Sequence, residues 1–172
     1  MWVVIMETHQ ASITSATLAS LADAGVGVIF CDKTHMPCGL HLPLAAHSRH
    51  AAIVESQLTL SKPLKKQLWQ RIVRAKIENQ ARVLSILGHP GKDDLLNYAK
   101  AVTSGDTTGR EAVAASLYFK RYLPEGTRRE GVYSSALDYG YAIVRAGIAR
   151  SAVAGGWLVS QGLHHDNNLN AF

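Results

Sequence analysis

The chain has 172 residues, 47% hydrophobic and 18% charged, with a formal net charge of +5. This allows one buried core, or one plus a small appendage, and excludes a disordered basic tail; the positive balance favours an anionic partner. Two cysteines make no disulfide framework, "MWVVIMETHQ" lacks the pattern of a signal peptide, and no apolar run approaches the roughly 18 residues of a membrane span, so a reducing cytoplasm and no membrane partner are expected.

Residues 2–6, "WVVIM", read as a strand. Residues 12–24, "SITSATLASLADA", read as a helix with Ser12 as N-cap and Gly25 just past its end. Residues 26–31, "VGVIFC", read as a second buried strand, giving a β-α-β start. Two strands are no stable sheet alone, and a strand beginning at Trp2 suggests that earlier strands are missing. "DKTHMPCGLHLPL" is punctuated by Pro37, Gly39 and Pro43 and reads as a loop or short hairpin. From about Ala45 the pattern is helical: 47–60, a long helix over 63–87 opened by Pro63 and stopped by Gly88 and Pro90, then 92–102, 109–123 and 134–154. Gly155-Gly156 then breaks the chain. The expected fold class is α+β, with a small N-terminal part over 1–45 and a larger all-α part over 46–172.

Six groups of residues carry candidate chemistry. Thr108-x-x-Glu111 fits a capping box, yet Glu111 shares a helical face with Ala114, Ala115, Tyr118 and Tyr122. A carboxylate on a packed face needs a partner, and either a cap or a metal ion supplies one. His164 and His165 read as solvated side chains when taken alone; with Glu111 they make a mixed oxygen and nitrogen set, which suits Mg²⁺ or Mn²⁺ weakly. Cys31, His35, Cys38 and His41 have spacings compatible with zinc. Arg71, Arg74, Glu78 and Arg82 form one helical stripe, which predicts salt bridges on a solvent face. The segment 62–82 is nonetheless strongly basic, and Lys120, Arg121, Arg128 and Arg129 flank the 124–131 loop, so both groups suit phosphate-backbone binding. Trp69, Tyr118 and Tyr122 nearby read as core rather than stacking platforms. Asp138 and Arg145 lie seven apart on an apolar helix and read as a buried charge pair, or as linked through Tyr141.

"ITSATLASLADAGVGVIFCDKTHMPCGLHLPL", "LWQRIVRAKIENQARVL", "GREAVAASLYF", "SSALDYGYAIVRAGIARSAVAGG" and "GLHHDNNLNAF", in that order, resemble the CRISPR-associated integrase and endonuclease of spacer acquisition, in the branch accompanying type II systems. The resemblance covers nearly the whole chain. It implies that 1–45 is part of a β-domain used for dimerisation and that 46–172 is a helical catalytic domain, incomplete at its C-terminus.

In that family a Glu, a His and an acidic residue bind a divalent metal. The Glu matches Glu111, and the His follows a glycine by three positions, which points to His165 after Gly162, with His164 second. The acidic ligand is expected beyond Phe172, and the chain is expected to be shortened at both ends. Asp138 and Ser134-Ser135 depart from the family's usual Asn-containing pattern. The resemblance implies insertion of short DNA duplexes into a repeat array, with Mg²⁺ or Mn²⁺ at Glu111 and His165. Arg71, Arg74, Lys76, Lys120, Arg121, Arg128 and Arg129 would position DNA phosphates. The partners implied are double-stranded DNA, a second copy of the chain and the small second adaptation protein. The alternative is a catalytically incompetent DNA-binding or scaffold fragment of the same family.

Overall fold

A computed structural model describes residues 3–8, 10–44, 47–123 and 132–164. The fold is α+β. Strand β1 (Val3–Met6) leads into helix α1 (Ser15–Asp23), which returns to strand β2 (Gly27–Cys31). The N-cap of α1 is Thr14 rather than Ser12: its hydroxyl accepts from the Thr17 backbone N–H at 3.1 Å. Gly25 sits at φ +66°, and Gly25 and Val26 donate back to the carbonyls of Ala22 and Leu21. That closure leaves the helix's last carbonyls satisfied and turns the chain into β2.

The segment read as a loop or short hairpin contains a third strand, β3 (Pro37–His41), antiparallel to β2. β1 pairs parallel with β2, from Val3 against Gly27 to Met6 against Phe30. The sheet order is therefore β1-β2-β3, and the central strand carries the buried Val28, Ile29 and Cys31. Asp32 shapes the intervening turn by accepting from the Thr34 and Met36 backbone N–H groups.

Helices follow: α2 (His50–Leu58), α3 (Lys62–Ile86), α4 (Lys92–Lys100), α5 (Arg110–Tyr122) and α6 (Val132–Ala154), with a 3-10 turn at Ser104–Asp106 before α5. Ser61 caps α3, and Gly88 at φ +71° ends it. By contact the chain forms two compact units. The described residues within 1–59 and 135–162 make the first, and those within 60–134 together with 163 and 164 make the second. The boundary at 45 read from the sequence is a change of element type, a different kind of division.

In the first unit, Tyr139, Ile143 and Ala146 recur at helical spacing on α6 and pack with Ile29, Cys31, Val3 and Leu40 of the sheet. Arg150 Nε donates to the Gly25 carbonyl. The 155–161 segment is held by polar bonds. Gln57, buried, donates to the carbonyls of Leu158 and Gln161 at 2.9 and 3.1 Å, while its Oε1 accepts from Leu158 N–H at 2.9 Å. His50 Nδ1 lies 2.9 Å from the Gly156 carbonyl. Gly156 has φ +83°, and a Cβ there would meet Ile53 Cδ1 at 2.9 Å, so the break after α6 requires glycine.

The second unit is built on α3. Val73, Ile77, Ala81 and Leu84 form one buried stripe, which packs with Leu95 and Ala99 of α4, Val102, and Ala114 and Tyr118 of α5. Trp69 and Tyr122 pack against this cluster, and Tyr122 stacks on Tyr118 with centroids 5.2 Å apart. The aromatics expected in the core are there.

Candidate functional site

Glu111 occupies the first turn of α5, and the turn before it explains why it is available. Gly105, Asp106 and Gly109 all have positive φ, at 73°, 48° and 63°. This winds the chain so that Asp106 faces the helix start. Its Oδ1 accepts from Arg110 N–H at 2.8 Å and its Oδ2 from Glu111 N–H at 2.9 Å. The capping box expected between Thr108 and Glu111 is therefore not formed; Gly109 is the N-cap residue, and Asp106 supplies the anion that satisfies the helix's first donors. Sequence reasoning missed Asp106, though a short acidic side chain between two glycines ahead of a helix was the available signal.

Relieved of capping, the Glu111 carboxylate turns to α3. Lys76 Nζ donates to Glu111 Oε1 at 2.6 Å, with the lysine side chain 50% exposed and the glutamate 26%. Ala114 and Tyr118, one and two turns further along the same face of α5, are buried. Glu111 thus sits where the packed face meets solvent. Arg110 places its guanidinium 6.0 Å from the centre of the Tyr98 ring.

His164 belongs to the same unit and is exposed, as a solvated side chain would be, yet its ring stacks on Trp69 with centroids 4.7 Å apart and planes 12° from parallel. His165, Arg128 and Arg129 lie outside the described residues. The other candidate phosphate contacts, Arg71, Arg74, Lys76, Lys120 and Arg121, are all exposed. Arg74 Nε donates to the Ala99 carbonyl at the C-terminal end of α4 at 3.2 Å. Lys120 and Arg121 sit in the last turn of α5, about 14 Å along the helix from Glu111 at 1.5 Å per residue. The structure therefore brings Lys76 to Glu111 and leaves Lys120 and Arg121 at the far end.

Three other readings change. Glu78 makes no salt bridge with Arg74 or Arg82, so the stripe on α3 is exposed charge without the expected pairing. Asp138 and Arg145 are both exposed, so they are no buried pair; α6 turns its alanines to the sheet instead. The zinc spacing does not close. Cys31 packs in the core with Ile29 and Ala146, Cys38 is exposed with its thiol donating to the Phe30 carbonyl, and His35 faces Glu7 at 3.4 Å. Among the described residues no group of three or more His, Cys, Asp or Glu is placed to hold a metal ion. Burial raises the Cys31 thiol pKa, with Glu7, Cys38 and Asp32 adding to the shift. No helix among the described residues is long and apolar enough to cross a membrane.

Residues 3–122 match the family model described as CRISPR associated protein Cas1. The chain belongs to the Cas1 family. It is 43% identical over 173 residues to the CRISPR-associated endonuclease Cas1 of Neisseria meningitidis serogroup C (strain 8013), an alignment covering 99% of this chain and 57% of that protein. The chain thus spans little more than half the length of this Cas1 relative. Among solved structures, a casposase bound to integration product superposes with a TM-score of 0.78 at 16% identity, covering 100% of this chain and 54% of that one. A Cas6-RT-Cas1–Cas2 complex gives 0.68 at 18% identity, with 98% of this chain and 21% of that one covered. At such identities these two likenesses show a shared fold.

Proposed function

We propose that this Cas1 chain is part of a metal-dependent DNA endonuclease and integrase of CRISPR adaptation, which inserts short duplexes into a repeat array by transesterification. The observation that carries this reading is Glu111: a partly exposed carboxylate at the start of α5, in the segment where the family's catalytic Glu is expected, within a unit whose rim is strongly basic. Its donor set fits a hard divalent cation. Oε1 is held by one half-exposed ammonium, and Oε2 has no hydrogen-bond partner among the described residues. Mg²⁺ and Mn²⁺ use one or two carboxylates plus water in such sites.

Glu111 and His165, with His164 the second choice, would hold the metal, and the third, acidic ligand would come from sequence that this chain does not include. A bound divalent cation would stabilise charge on the phosphoryl oxygens and the leaving oxygen as a DNA 3′-hydroxyl attacks a phosphodiester. The chain's own residues do the positioning. Arg71, Arg74 and Lys76 along α3, Lys120 and Arg121 at the end of α5, and Arg128 and Arg129 after it, would seat backbone phosphates without reading bases. Trp69 would keep the His164 ring against α3.

Residues 1–45 are assigned to dimerisation and 46–172 to catalysis. The partners are double-stranded DNA, a second copy and the small second adaptation protein, supported by the fold shared with a casposase on its integration product and with a Cas1–Cas2 assembly. The place of action is the cytoplasm. The second reading is a catalytically incompetent DNA-binding or scaffold fragment of the same family. Mn²⁺-dependent cleavage and strand joining on branched DNA, compared with Glu111→Ala and His165→Ala, decides between them. Activity lost in both variants supports the enzyme; DNA binding with no activity in any protein supports the scaffold.

A further inference from the structure

The Lys76–Glu111 pair differs from the charges around it. Glu78 has Arg74 and Arg82 one turn to either side and pairs with neither, whereas Lys76 reaches a carboxylate 35 positions away on another helix. A glutamate in the first turn ordinarily has the helix's own positive end as counter-charge. Here Asp106 has already taken that role, with both of its oxygens on the first N–H groups of α5. Two carboxylates at one helix start need a further cation, and Lys76 is that cation. Arg110, the other positive group at this end, points its guanidinium at Tyr98.

A divalent ion cannot simply be added to this arrangement. Contact with Glu111 would set it beside an ammonium 2.6 Å from the same carboxylate, and like charges at that range repel. The ammonium must leave first. Its side chain is half exposed, and with about 3.6 residues per turn Lys62 and Lys65 lie on the same face of α3, toward the helix's N-terminal end. A phosphate backbone lying along this row would compete with Glu111 for Lys76.

Resting on the reading of Glu111 as a metal ligand, we propose that Lys76 is the built-in cation of the metal-free site. DNA draws it onto phosphate and exposes Glu111 to the metal, so nucleic acid and metal bind with positive coupling. By linkage, whatever factor DNA contributes to metal affinity the metal returns to DNA affinity. The device would keep the site from loading with metal before a substrate phosphate is present.

The test is titration of Mn²⁺, followed by the electron paramagnetic resonance of the free ion, on the full chain with and without a short DNA duplex. The Glu111-dependent part is the difference between the unmodified protein and Glu111→Gln. Without DNA, Lys76→Met should bind Mn²⁺ about two- to fivefold more tightly, the scale expected for removing a half-exposed ion pair. DNA should tighten Mn²⁺ binding in the unmodified protein and in Lys76→Arg, and much less in Lys76→Met. Equal or weaker Mn²⁺ binding by Lys76→Met, or unchanged coupling to DNA, overturns the proposal. If Glu111→Gln leaves Mn²⁺ binding untouched both with and without DNA, Glu111 is no ligand, and the functional reading fails rather than the role of Lys76 within it.

Discussion

The two units of this chain are held together by different physics. Among the described residues, the α3–α5 unit buries a contiguous cluster of nine side chains, whereas the buried cluster of the sheet unit has three, Ile29, Cys31 and Ala146. The sheet unit makes up the difference with side chains bonded to backbone: Gln57 to Leu158 and Gln161, His50 to Gly156, and Arg150 to Gly25. Burial is nondirectional and tolerates almost any rim, so the α3–α5 unit can devote its surface to exposed charge and to Glu111. Directed hydrogen bonds tolerate little, because an abandoned buried partner costs more than a kept one contributes. Charge changes on the rim of the α3–α5 unit should therefore be mild, and polar changes inside the sheet unit should not.

The strongest way to test that contrast is to damage the larger cluster. Ile77→Ala and Leu84→Ala should each cost about 2–5 kcal/mol, the range for truncating a fully buried aliphatic side chain. Arg71→Ala and Glu78→Ala on the same helix should stay within about 0.5 kcal/mol. Urea unfolding followed through Trp69, with the other tryptophans replaced, reads this unit directly. If the rim substitutions cost as much as the core ones, burial is not what holds it.

Gln57→Leu probes the other side of the comparison. It removes a partner from the Leu158 N–H and from the carbonyls of Leu158 and Gln161 at once. The expected cost is about 1–3 kcal/mol, seen first as a change in Trp157 emission and faster amide exchange at Leu158. A neutral result would mean that water replaces the amide and that the segment needs no such anchor.

Much of this architecture could be read from periodicity and punctuation. The strands at Val3–Met6 and Gly27–Cys31 and the five helices after them lie close to their expected places, because buried faces repeat and because Gly25, Gly88 and Gly156 mark real breaks. β3 is hidden from a sequence reading because Pro37 and Gly39 punctuate a strand that pairs with β2. At the site, the position of Glu111 at a helix start and on a packed face was legible. Its partners were not. Asp106 reaches the helix through a turn of positive φ, and Lys76 reaches Glu111 across 35 residues; neither relation has a period. The zinc spacing and the burial expected of Asp138 and Arg145 failed for the converse reason: a regular spacing says nothing about which faces turn inward.

Asp106→Ala should sharpen the picture of the α3–α5 unit by exposing how far the start of α5 depends on directed bonds. Losing the acceptor for the Arg110 and Glu111 N–H groups should cost about 0.5–2 kcal/mol, measurable as a lower urea midpoint. Asp106→Asn should lose less, since it retains one acceptor oxygen for two donors. If the Ala variant instead showed Glu111 turned back to cap the helix, the Lys76 pair would be lost with it, and Mn²⁺ titration would register the change.

The smallest effect belongs to the sheet unit. The Cys31 thiol is raised above its usual 9.0 by burial first, and then by Glu7, Cys38 and Asp32. The folded chain therefore holds this proton more tightly than the unfolded chain. The sign follows from linkage: the stabilisation is fully present below the unfolded value and is lost as pH rises through the higher folded value. Urea midpoints should fall as pH rises above the unfolded value of 9.0, and Cys31→Ala should flatten part of that slope. Iodoacetamide at pH 8 should alkylate the exposed Cys38 well before Cys31. Equal rates would show that the Cys31 pocket opens as readily as the surface, and would make the small cluster of the sheet unit looser than its burial implies.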